Sequence, residues 1–168
     1  MIERAHQAVA EKGLADRVEL RVGDIADLDL PDGIADVVIS NCVINLCPDK
    51  DAVYREACRI LRPGGRLAIS DIVLTEEIAP GLWERFQSAG AGCLGGAIAE
   101  SDYWQMVSDA GFGDVHTVNR HPLSDDELRA LASCPGEEFC PPPSPADLAL
   151  VEGRVASVKF TAAKPSPA

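Results

Sequence analysis

The sequence is poor in positive charge. Fifteen Lys and Arg stand against twenty-seven Asp and Glu, a formal net charge of −12. A surface of that sign repels phosphate backbones and anionic lipid headgroups, which argues against nucleic acid and against a membrane as partners. No stretch approaches the roughly 20 apolar residues that a bilayer span requires. The first residues carry Glu3, Arg4, Glu11 and Lys12 where a secretory signal would need an apolar run, so the expected location is cytoplasmic. Histidine is scarce: His6, His116 and His121 have no partners at metal-ligand spacing, which leaves them structural or surface roles. There is no internal repeat of the kind a solenoid needs.

What is present fits one domain: 168 residues with 46% hydrophobic content can fill a core of ordinary size. Six cysteines in a chain without an export signal read as thiols rather than disulfides, because the cytosol keeps them reduced. Their use is then packing, catalysis or metal chemistry.

Hydrophobic spacing predicts a helix over 2–13, ended by Gly13. Val18 to Val22 alternates apolar and polar residues as a short strand does, and Ala35 to Ser40 is a β-branched run suited to a buried parallel strand. Asp49 can cap a helix that reaches Leu61, and Pro63-Gly64-Gly65 forces a turn into a strand from Arg66 to Val73. Further helices are expected at 82–89 and 101–110, and strands at 115–119 and 154–162. This order predicts an α/β fold, a doubly wound sheet with an antiparallel edge. The segment 133–145, rich in Gly and Pro, reads as a loop. The domain is expected to span 1–163, with a disordered tail over 164–168.

Two cysteine segments stand out. Ser40-Asn41-Cys42-Val43-Ile44-Asn45-Leu46 lies at the C-terminal end of a predicted strand, where open α/β sheets place their ligands. Ala91-Gly92-Cys93-Leu94-Gly95-Gly96-Ala97 lies far along the chain. Together they resemble the paired cysteine segments of arsenite methyltransferases, a family of class I methyltransferases that use S-adenosylmethionine. The resemblance runs from Met1 to about Lys164 and is strongest between Val18 and Ala97. It implies a Rossmann-like methyltransferase sheet and an enzyme for arsenic detoxification, in which Cys42 and Cys93 hold trivalent arsenic and are the catalytic thiols. It also implies arsenite or its thiol conjugates as substrate, with a thiol reductant as a further partner. Asp24, Ile25 and Asn41 would line the cofactor site, Asp24 meeting the adenine amino group, and the helix that carries Trp83 and Phe86 would lie over the active site.

The chemistry suits the residues. Trivalent arsenic is soft and thiophilic; two or three sulfurs hold it while its lone pair stays available for a methyl group. Each assignment has a plainer competitor. Cys42 and Cys93 could be buried small hydrophobes, and Asp24 a turn or cap residue. Cys58 reads as packing and Cys47 as an accessory thiol. Cys134 and Cys140 share a loop with no second pair for zinc, so they could oxidise together or supply a third arsenic ligand. Gly64-Gly65 has no third glycine and no following helix, and so reads as a structural turn rather than a phosphate cradle.

The sequence departs from the family pattern at its start. The first two strands, the glycine-rich loop and the upstream cysteine have no counterpart here, so the expectation is an N-terminally truncated, incomplete sheet. Two alternatives stay open: a non-catalytic thiol module or fragment that binds arsenite and needs an upstream partner chain, and a methyltransferase for another small molecule.

Overall fold

The computed structural model of the chain describes residues 2–88, 92–132 and 143–167. In chain order these form α1 (Ile2–Glu11), β1 (Ala35–Asn41), a 3-10 turn (Ile44–Leu46), α2 (Lys50–Ile60), β2 (Leu61–Leu74), α3 (Pro80–Ser88), α4 (Gly92–Gly95), α5 (Glu100–Asp109), β3 (Gly113–Pro122), α6 (Asp125–Ala132), α7 (Pro145–Val151) and β4 (Val155–Ala163).

One sheet of four strands runs in the order β1-β2-β4-β3. β1 and β2 are parallel, with Val38 opposite Leu67 and Ser40 opposite Ile69. β4 is antiparallel to β2 and to β3. The expected α/β class and antiparallel edge are therefore present, as is the incompleteness: among the described residues nothing pairs with the outer edge of β1. Val37 and Ile39 on that strand are 44% and 78% exposed.

The strand expected at Val18 to Val22 does not form. Its alternation is intact, but a strand needs a hydrogen-bonding neighbour, and among the described residues none stands beside it. Val22 is left 85% exposed, and Arg21 pairs locally with Glu19 at 2.7 Å.

α2 starts where Asp49 accepts a hydrogen bond from the Ala52 backbone N–H at 2.8 Å, and it buries Val53, Ala57 and Ile60. At the turn inside β2, Gly64 adopts φ +74, and a Cβ on Gly65 would lie 2.8 Å from the Arg62 carbonyl, so both positions require glycine. Pairing along β4 extends to Lys164, whose backbone N–H donates to Gly65 and whose ammonium donates to the Leu61 carbonyl.

α6 and α7 are not among the helices expected from the sequence, yet both carry capping signals. Ser144 accepts from the Asp147 backbone N–H while the Asp147 carboxylate accepts from Ser144, with Pro145 in the first turn. Ser124 and Glu127 form the equivalent pair before α6.

Two buried clusters result. One lies between the sheet and α2 and α5, around Tyr54, Leu67, Ile69, Tyr103, Val107 and Phe160. The other joins Ile72 and Val155 to the smaller helices through Phe86, Leu94, Leu128 and Val151. Each fully buried Leu, Val or Phe contributes about 1.5–3 kcal/mol. Cys42 and Cys93 both pack against the second cluster, while Ile44, two residues after Cys42, belongs to the first.

Candidate thiol and cofactor site

β1 ends at Asn41, and the chain leaves it through Cys42, whose backbone is left-handed at φ +55 and whose N–H donates to the Ser70 carbonyl at 2.9 Å. A non-glycine residue in this region is uncommon and costs free energy. The departure turns the chain off the sheet edge and into the 3-10 turn. Cys93 arrives separately, on the single turn of α4.

The two segments meet. The Cys93 thiol donates to the Cys42 carbonyl at 2.7 Å across 51 residues of sequence. Both side chains are half-buried. Burial pushes the Cys42 thiol above its ordinary range, the Asp71 carboxylate adds to this, and a hydrogen bond with Cys93 opposes it. Cys42 therefore rests as a neutral thiol.

The glycines beside Cys93 make this approach feasible. A Cβ on Gly95 would lie 2.8 Å from the Phe86 carbonyl oxygen, and one on Gly96 only 1.8 Å from the Asn45 carbonyl oxygen. α4 thus lies wedged between α3 and the 3-10 turn, a packing only glycine allows. On α3, Trp83 stacks on Phe86 with ring centroids 5.4 Å apart.

A polar group lies beneath the thiols. Asp71 is fully buried and accepts from the Ile72 N–H and from the Tyr103 hydroxyl, each at 3.0 Å. Burial raises its pKa, against those two hydrogen bonds, the Asn45 backbone and the Lys50 ammonium. Lys50 donates to the carbonyls of Cys47 at 3.2 Å and Asn45 at 3.4 Å, and burial lowers its pKa. Asp71 and Asn45 are site residues to which sequence reasoning assigns no role. A lone carboxylate inside the apolar run Leu67 to Val73 is the available signal.

The other described thiols are placed differently. Cys47 donates to the Val43 carbonyl at 3.6 Å, and burial raises its pKa against the Lys50 charge. Cys58, raised by burial, packs near Gly111 at the end of α5. Cys134, Cys140 and Ala91 lie outside the described residues. No cluster that could hold a metal ion occurs among the described residues.

The residues expected to line a cofactor site divide. Ile25 and Asn41 share the wall of a cavity of about 330 Å³, with Val38, Ser40, Ile44 and Ile69. Asp24 is exposed beside it, and its carboxylate accepts from the Ala26 N–H at 2.9 Å, closing a tight turn. The cavity is largely apolar, and among the described residues the buried Ser40 hydroxyl has no partner. An apolar slot with an orphaned hydroxyl fits the adenosine end of S-adenosylmethionine.

Among known proteins, the Methyltransferase domain family matches residues 1–111. The arsenite methyltransferase of Halobacterium salinarum is 44% identical over 115 residues, covering 68% of this chain and 29% of its own length. That of Aquipseudomonas alcaligenes is 45% identical over 103 residues, covering 61% of this chain and 30% of the relative. The chain thus spans less than a third of the length of these curated relatives. A crystal structure of an arsenic(III) S-adenosylmethionine methyltransferase from Chlamydomonas reinhardtii superposes with a TM-score of 0.61 at 30% identity, covering 86% of this chain and 42% of that one.

Proposed function

The chain belongs to the Methyltransferase domain family, and from that premise we propose that it carries the substrate-binding part of an S-adenosylmethionine-dependent arsenite methyltransferase, with Cys42 and Cys93 as the arsenic ligands. One observation carries this reading: the Cys93 thiol lies 2.7 Å from the Cys42 carbonyl although the two are 51 positions apart in the chain. Two cysteines that merely packed would not need to meet at the end of β1, on the edge where open sheets bind ligands.

A neutral Cys42 thiol suits the substrate. When arsenous acid condenses with two thiols, two As–S bonds replace two As–O bonds, and each thiol proton leaves on a hydroxide as water. No free thiolate has to form first, so the raised pKa of Cys42 is no obstacle. The arsenic lone pair remains unshared and forms the bond to the incoming methyl carbon.

S-adenosylmethionine, when bound, supplies that methyl on a sulfonium. Ile25, Ser40 and Asn41 would hold its adenosine end in the cavity beside β1, with Asp24, next to Ile25 in the chain, meeting the adenine amino group. The protein's task is alignment, because no proton has to be removed from the attacking lone pair. Attack leaves arsenic two electrons more oxidised, and a thiol reductant in the surrounding medium would return it to the trivalent state. A reducing cytoplasmic setting fits both this step and the thiol site. Among the described residues no helix is long and apolar enough to cross a membrane.

The open edge of β1 supports a further part of this reading. Its unpaired backbone and exposed Val37 and Ile39 suit an upstream polypeptide segment or fragment that would complete the sheet and the cofactor's methionine end. Isothermal titration of the reduced chain with arsenite, then with S-adenosylmethionine, tests the proposal. Arsenite binding that is lost in Cys42→Ser and in Cys93→Ser supports it. Binding undiminished by either change would sink it. Cofactor binding without an added fragment would show that the chain holds both substrates by itself.

A further inference from the structure

Asn45 is nearly fully buried, at 3% exposure, in the 3-10 turn that follows Cys42. Its side-chain amide donates two hydrogen bonds, one to the Ile72 carbonyl on β2 at 2.7 Å and one to the Cys93 carbonyl on α4 at 3.2 Å. Among the described residues its Oδ1 is buried with no partner. A buried acceptor left so costs folding free energy, against which stand the two bonds its NH₂ group donates. What the amide accomplishes is geometric, since one NH₂ group ties the segment of each cysteine to the same point on the sheet.

The packing around Asn45 agrees. Gly96 approaches so closely that a Cβ would lie 1.8 Å from the Asn45 carbonyl oxygen, and Lys50 donates to that oxygen at 3.4 Å. The residue therefore touches β2, α4 and the start of α2, and it leaves the two thiol-bearing segments little freedom relative to one another.

We infer that Asn45 is a positioning residue that sets the spacing of the Cys42 and Cys93 thiols by anchoring the carbonyls of Ile72 and Cys93 with a single amide. The inference deepens the proposed function and rests on those two cysteines being the arsenic ligands. It assigns Asn45 no contact with arsenic or cofactor. Its effect is to hold the two segments that carry the sulfurs in a fixed relation.

The test is bridging of the native chain by dibromobimane, which fluoresces when it links two neighbouring thiols, with the linked pair identified by peptide mapping. Asn45→Leu keeps the volume and removes the donors; Asn45→Ser keeps a donor too short to span both carbonyls, and serves if the leucine variant folds poorly. Cys42–Cys93 bridging is expected in the wild type and should slow about tenfold or more in either variant, the scale of a modest misplacement of reacting groups. Alkylation of each cysteine singly by iodoacetamide should keep its wild-type rate, which a general loosening of the fold would not allow. Wild-type bridging rates in the variants, or no bridging in the wild type, would overturn the inference. Arsenite titration of the wild type reads the arsenic assignment separately, so failure of one is distinguishable from failure of the other.

Discussion

Tyr103 donates its hydroxyl hydrogen to Asp71 across 3.0 Å, and neither side chain is exposed to solvent. α5 is thereby tied to β2 through a carboxylate that acts electrostatically on the Cys42 thiol. Because Asp71 is buried, its folded-state pKa lies above the ordinary 3.8. The folded chain then binds more protons than the unfolded chain between those values. Asp71 thus contributes stability that is fully present below 3.8 and is lost as pH rises through the folded-state pKa.

Asp71→Asn should flatten this pH dependence. Wild type should lose stability relative to the variant as pH rises from below 3.8 toward neutrality, by about 1.4 kcal/mol for each pH unit that separates the folded and unfolded titrations. Urea denaturation across that range measures it. Parallel curves for the two proteins would show that Asp71 is not the group responsible.

Tyr103→Phe keeps the ring, including its edge contact with Tyr54 at 5.7 Å, and deletes only the donor. The cost at neutral pH should be about 1–3 kcal/mol, that of leaving a buried acceptor short of one partner. The loss should shrink when Asp71 is already Asn.

Gly96→Ala places a methyl group where the Asn45 carbonyl oxygen stands. Backbone on both sides leaves little room to relax, so the expected loss is at the upper end of about 1–3 kcal/mol. Gly81→Ala, where a Cβ meets nothing within 4 Å, is the matching control in the same denaturation series.

For arsenite, Cys42→Ser and Cys93→Ser should each weaken binding about 100-fold, or about 2.7 kcal/mol. Cys58→Ser, at the end of α5, should leave affinity unchanged. Equal losses in all three would indicate damage to the fold rather than to a site.

Ile39→Lys puts a charge on the most exposed apolar position of the open strand, 78% accessible. If that edge drives self-association, light scattering at rising concentration should fall while the melting temperature hardly moves.

Much of this is legible in the sequence because it depends on local signals. Asp49 announces α2 by its cap, Pro63-Gly64-Gly65 announces the turn, and β-branched residues mark β1. The two cysteine segments are identifiable by their neighbours, Asn45 and Gly95-Gly96 among them. Val18 to Val22 misleads because alternation records what a strand would bury, whereas pairing depends on a neighbour that local sequence does not reveal. Asn45 and Asp71 escape notice as site residues for a related reason. Their roles are long-range, set by carbonyls on Ile72 and Cys93 and by the hydroxyl of Tyr103. α6 and α7 are accessible from Ser124 with Glu127 and Ser144 with Asp147, short-range capping pairs that mark where each helix begins.

The meeting of Cys42 with Cys93 has a consequence for chain entropy. An atom bound by both sulfurs would close a loop between positions 51 apart in the chain, and a cross-link over that span destabilises the unfolded chain by about 4 kcal/mol through its lost entropy. Arsenite would then act as a reversible staple joining the sheet to its helical cap, and the chain's resistance to unfolding would report how much metalloid surrounds it.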